Sequence, residues 1–135
     1  MISAIDTNVL LDVLLQDERF CQPSLATLEE AARTGSLVIC DVVYAELCGH
    51  FETQRLCDAF LEENQIRVEP LGRSAAFLAS RVWRTYRRRG GKRARILADF
   101  LIGAHAQTQT SRLVSRDRGF YRTLFPDLIV ADPRS

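Results

Sequence analysis

Apolar residues fall along this chain in two rhythms, short unbroken runs and longer stretches with helical spacing, and the two alternate. Ile2 to Ile5 predicts a strand. Asp6-Thr7-Asn8 comes next, and Val9, Leu10, Val13 and Leu14 then have the spacing of a helix capped by one of those polar residues. Pro23 and Ser24 open a second helical stretch that ends near Gly35. Leu37 to Cys40 is wholly apolar and predicts a buried strand, with Asp41 placed to cap a helix through Glu46 and Leu47. A further helix covers about 52–63, before Ile66 and Val68 alternate in a short strand or extended link. Ala75, Ala76, Leu78, Ala79, Val82 and Trp83 mark a helix from Arg73 to Arg88, ended by Gly90-Gly91. Ile96 to Thr108 predicts a strongly apolar helix, Leu113-Val114-Ser115 a strand, Phe120 to Phe125 a short helix closed by Pro126, and Leu128 to Val130 a last strand.

Continuously apolar strands separated by helices predict a parallel sheet covered on both faces, an α/β fold with three α/β/α layers. The chain has 135 residues, 47% of them hydrophobic and 26% charged. A chain of that size buries roughly 70% of its unfolded surface, which predicts one domain over 1–135 with a core that needs no staples. The composition excludes an intrinsically disordered protein. With 18 Lys and Arg against 17 Asp and Glu the net charge is +1, so any nucleic-acid footprint has to be local. Met1 to Asp6 lacks a basic leader, and no apolar run reaches the 18 or so residues needed to span a bilayer, so a cytoplasmic protein is expected. Cys21, Cys40, Cys48 and Cys57 form no C-x-x-C pair and are expected as reduced, packed thiols.

Parallel sheets bind ligands beyond the carboxyl ends of their strands, and the positions just past these strands are acidic. Asp6 follows the first, Asp41 and Glu46 the second, and Asp117 comes two residues after Ser115. Asp99 lies in the apolar helix Ile96-Leu97-Ala98-Asp99-Phe100-Leu101. Taken singly, these acids have simpler readings: Asp6 and Asp41 as helix caps, Asp117 as a turn residue, Asp99 as the helical ion-pair partner of Arg95. Glu46 and Asp99 fit those readings less well, because a carboxylate buried in an apolar helix costs several kcal/mol unless paired, hydrogen-bonded or metal-bound. Together, Asp6, Glu46, Asp99 and Asp117 come from four segments and would repel one another without a cation. All-oxygen coordination suits Mg²⁺ or Mn²⁺.

Carboxylates holding hard divalent ions fit phosphodiester hydrolysis by metal-activated water, with no protein nucleophile. The sequence has no P-loop, no G-x-S-x-G and no G-x-G-x-x-G after a strand. His50 and His105 lack a partner at metal-ligand spacing and are expected at the surface or the core edge, while Phe100, Phe120, Tyr121 and Phe125 are expected in the core. Between Arg81 and Arg95 eight cations gather. They read either as a solvated helix end or as a phosphate-binding rim, in which Arg87, Arg88, Arg89, Lys92 and Arg93 would meet RNA.

Four stretches now carry a resemblance. Ile5-Asp6-Thr7-Asn8-Val9-Leu10-Leu11-Asp12, Val42-Val43-Tyr44-Ala45-Glu46-Leu47, Leu97-Ala98-Asp99-Phe100-Leu101-Ile102-Gly103-Ala104-His105-Ala106 and Ser115-Arg116-Asp117-Arg118-Gly119-Phe120-Tyr121 resemble, in order and spacing, the signature stretches of PIN-domain ribonucleases. Within them the nearest group is the VapC-type toxins of toxin-antitoxin pairs. The resemblance implies a PIN fold, an endoribonuclease dependent on Mg²⁺ or Mn²⁺, a homodimer, and a cognate antitoxin that blocks the site. It also implies that Asp6, Glu46, Asp99 and Asp117 are the metal-binding, catalytic acids, with Asn8 and Ser115 supporting them. Two other classes stay open. A phosphoaspartyl-type phosphatase also starts with a strand and an Asp, but it requires a second Asp where this chain has Asn8. A non-catalytic nucleic-acid or partner-binding module would use the Arg81 to Arg95 strip without the acids.

Overall fold

The computed structural model describes residues 1–91 and 95–134. Among them five strands and seven helices alternate: β1 (Ile2–Ile5), α1 (Thr7–Leu14), α2 (Cys21–Thr34), β2 (Ser36–Ile39), α3 (Asp41–Cys48), α4 (Gln54–Glu63), β3 (Ile66–Val68), α5 (Arg73–Arg88), α6 (Leu97–Gln109), β4 (Arg112–Val114), α7 (Arg118–Leu124) and β5 (Val130–Ala131). The strands form one sheet in the order β3-β2-β1-β4-β5, every neighbouring pair parallel. This is the three-layer α/β/α arrangement that the apolar runs predict.

The chain leaves β1 toward β2 and β3 on one side, then returns to lay β4 and β5 on the other. That reversal makes the carboxyl end of β1 the switch point at which such sheets bind ligands. The register pairs Ile5 with Val114, so the residues just past these strands, Asp6 and Ser115, stand side by side. Ile5, Val38, Ile39, Leu113 and Val114 are buried in the sheet, and Val9, Leu10, Leu47, Phe100 and Tyr121 pack the helices against it.

Several element boundaries differ by one or two residues from the sequence pattern, β2, β4 and the starts of α2 and α7 among them, and two of the differences have a local cause. Asp41 is the first residue of α3, not its cap; Cys40 holds the extended capping position and supplies no side-chain acceptor. The last strand begins at Val130, because Leu128 donates its N–H to the Phe125 carbonyl (3.0 Å) and closes the turn after α7. Two glycines are required where they stand. Gly90 has φ +76°, which turns the chain after α5. Gly103 is buried on α6, where a Cβ would come within 2.6 Å of the buried Phe125 ring. No helix among the described residues is long and apolar enough to cross a membrane.

Candidate active site

The site starts at Asp6. Its extended backbone ends β1, its N–H donates to the Val114 carbonyl (2.9 Å), and its carboxylate caps α1 by accepting the Thr7 N–H (2.8 Å). The Ser115 hydroxyl donates to the same carboxylate (2.7 Å), and the Asn8 amide approaches it at 3.4 Å. Burial pushes the Asp6 carboxyl up to about 6. The hydrogen bonds from Ser115, Thr7 and Tyr121 oppose that rise, and the charge of Glu46 adds to it. Ser115 also accepts the Asp117 N–H (2.9 Å), so one hydroxyl ties the first acid to the last. Asn8 accepts the Arg116 N–H (3.2 Å), which joins the start of α1 to the same loop.

Glu46 is exposed on α3, contrary to the expectation of a carboxylate buried in an apolar helix. Its neighbours Val43 and Leu47 face the core, and Glu46 turns outward to accept the Thr7 hydroxyl at 2.6 Å. Asp99 is half-buried in the first turn of α6, where it reaches back to accept the Ile96 N–H (3.2 Å). Burial raises its carboxyl above the usual range; Arg95 lowers it and Asp117 raises it further. The expected helical pair between Arg95 and Asp99 does not form, because α6 begins at Leu97 and leaves Arg95 in the preceding loop. Arg95 instead grips Asp117 with both terminal nitrogens, its guanidinium lying over the Phe120 ring at 4.2 Å from the centroid. Asp117 sits at the N-terminal border of α7 without capping it.

Tyr121, expected as core packing, is indeed buried, yet its polar end belongs to the site. Its hydroxyl is directed at Asp6, and burial, with the charges of Asp6, Asp99 and Asp117, raises its phenol well above the ordinary range. The acids thus face one another in two pairs, Asp6 with Glu46 and Asp99 with Asp117, joined through Tyr121. Four carboxylates, one of them deeply buried and resisting ionisation, are a donor set suited to a hard divalent cation. The distances are not those of a closed coordination shell: among the described residues no three ligating side chains meet at one point. Thr7 holds Glu46 and Arg95 holds Asp117 in the arrangement seen.

Several contributors to the site carry little signal in the sequence. Thr7 and Tyr121 have none beyond their place in the four signature stretches. Arg116 forms a fork to the buried Asp12 (2.7 and 3.0 Å), lies over the Phe20 ring, and receives Arg134 on its carbonyl (2.7 Å). Ser24 completes that clamp by donating to Asp12 at 2.8 Å. An Asp one turn into an otherwise apolar helix is the signal that points to it.

Arg87, Arg88 and Arg89 are exposed at the end of α5, with Arg87 over the Trp83 ring, while Lys92 and Arg93 lie outside the described residues. His50 is exposed, as expected. His105, expected at the surface or core edge, is 1% exposed, because it lies in the buried run Ile102 to Ala106 of α6. Burial lowers its pKa, and its Nε2 lies 3.3 Å from Glu69 Oε1. The four cysteines are free thiols, with Cys40 and Cys57 buried and Cys21 and Cys48 partly so.

A parallel sheet that reverses at its first strand, with helices on both faces and acids beyond the strands' carboxyl ends, defines a doubly wound α/β/α fold. Residues 4–125 match the PIN domain family, and the chain belongs to it. Among solved structures the fold is shared with VapBC2 from Rickettsia felis bound to a DNA fragment from their promoter (20% identity, 98% of each chain covered, TM-score 0.74). It is also shared with VapBC-1 from nontypeable Haemophilus influenzae (19% identity, 100% of each chain, TM-score 0.77) and a toxin-antitoxin complex from Klebsiella pneumoniae (18% identity, 97% of each chain, TM-score 0.70). No curated protein sequence matches the chain.

Proposed function

We propose that this chain is a metal-dependent endoribonuclease of the VapC type, a single PIN domain that acts as the toxin of a toxin-antitoxin pair. The observation that carries the reading is that Asp6, Glu46, Asp99 and Asp117, from four segments, lie toward the carboxyl end of the sheet, where parallel α/β folds bind ligands. Mg²⁺ or Mn²⁺ would be held by these four acids, and when bound it supplies charge neutralisation at the phosphate and a more acidic water. The protein's own groups do the positioning. The Thr7 amide and the Ser115 hydroxyl fix Asp6, Asn8 braces the loop that carries Asp117, and Thr7 orients Glu46. Tyr121, kept protonated by burial and the charges around it, directs its hydroxyl to Asp6. The exposed Arg87, Arg88 and Arg89, with Lys92 and Arg93, would receive the RNA backbone beside the acids.

An antitoxin encoded beside the gene and a homodimer complete the reading. The solved complexes named above support a protein partner by analogy of fold alone. The test is RNA cleavage by the purified chain with Mg²⁺ or Mn²⁺, then with EDTA, alongside Asp6→Asn. Cleavage that needs the ion and disappears in the variant, with circular dichroism unchanged, is the expected result. Full activity in EDTA overturns the proposal.

A further inference from the structure

Arg95, at the end of the Arg81–Arg95 strip, closes its guanidinium on one of the four acids. Both Asp117 oxygens are taken, one by each terminal nitrogen, and the planar fork of a guanidinium matches a carboxylate in that way. The Phe120 ring beneath it supplies a cation–π seat. Its charge also reaches Asp99, whose ionised form it favours. A positive charge from the chain itself therefore stands where the proposed function requires one from a metal.

The two cations compete for the same place. A divalent ion on Asp117 and Asp99 would lie within a few ångströms of the guanidinium and repel it, and the carboxylate oxygens used by the fork are those an ion would need. Arg95 can leave. It belongs to the loop before α6, its side chain is about one-third exposed, and it borders a hollow between the end of α5 and α7 lined by Tyr86, Arg89, Phe120 and Leu124.

We propose that Arg95 is a built-in counter-cation that holds Asp117 while no metal is bound, gives it up when a divalent ion enters, and so sets how much metal the site requires. This rests on the reading of the acids as a metal site. It differs from the rim role of the neighbouring arginines, because it acts on metal affinity and not on RNA.

The test is Mn²⁺ titration of the metal-free full chain, with free Mn²⁺ read by electron paramagnetic resonance, for wild type, Arg95→Gln, Arg95→Lys and Asp117→Asn. Arg95→Gln is expected to bind Mn²⁺ about tenfold more tightly than wild type, the scale on which adjacent charges couple. Arg95→Lys, which keeps the charge without the fork, should fall between the two. In the Arg95→Gln/Asp117→Asn double variant most of the gain should vanish. Thermal melting in EDTA checks that each variant is folded. Affinity in Arg95→Gln equal to or weaker than wild type overturns this role for Arg95 and leaves the metal site standing. Mn²⁺ uptake by neither protein overturns both the proposed function and this inference.

Discussion

At the scale of single residues, Asp6 carries the largest unrelieved electrostatic cost in the site. Its carboxyl is raised from 3.8 to about 6 by burial, so without metal the folded state prefers it protonated. Stability from this group is fully present below about pH 4 and is lost as the pH rises through about 6, a difference of about 3 kcal/mol. In EDTA, Asp6→Asn should therefore gain in melting temperature relative to wild type as the pH goes from 4.5 to 7.5. A difference between the two proteins that does not change with pH would show that Asp6 is already compensated. Protonation of Asp6 should also weaken metal uptake below pH 6. Glu46 and Thr7 illustrate what a linear reading misses at this scale. The apolar run around Glu46 suggests a buried carboxylate, whereas the fold leaves it exposed and held by a hydroxyl 39 positions away.

At the scale of elements, most of the architecture was legible because the strands are apolar without interruption while the helices keep their spacing. β1, β3 and α5 lie where the pattern puts them. Ends move by a residue or two in several elements, and in two of them a local contact accounts for it: Cys40 in place of Asp41 ahead of α3, and the turn that uses Leu128 before β5. The Arg95 partner was unreadable for the same reason, since α6 begins only at Leu97, which leaves Arg95 in the preceding loop and pairs it with Asp117 instead of Asp99. Helix α6 bears a further prediction. Gly103→Ala puts a methyl 2.6 Å from the Phe125 ring, which is itself buried, so the variant should lose about 1 to 3 kcal/mol in urea unfolding. Unchanged stability would mean that α6 and the Phe125 ring can separate freely. At the end of α5 the prediction concerns binding: replacing Arg87, Arg88 or Arg89 with Ala should flatten the slope of log affinity for RNA against log salt by about 0.7 for each phosphate no longer neutralised. A slope that stays constant assigns those arginines to solvent.

At the scale of the molecule, a chain of net charge +1 can act on a polyanion only if its charges are segregated, and they are. Four acids gather at the carboxyl end of β1 and β4, while exposed arginines crowd the adjoining end of α5. The sheet order explains why distant segments meet there: reversal at β1 brings Ser115 beside Asp6, and the Arg116 clamp to Asp12 locks the loop between Ser115 and Asp117 onto α1. Order and spacing along the chain point to all four acids, but they could not show that Thr7 and Arg95 occupy two of them or that Tyr121 lies among three. The most direct test that these acids hold a metal is anomalous diffraction from crystals of the full chain soaked in Mn²⁺. The expected result is a peak bounded by Asp6, Glu46, Asp99 and Asp117, with Asp117 no longer gripped by Arg95. A chain that takes up Mn²⁺ elsewhere, or shows no peak at saturating metal, would contradict it.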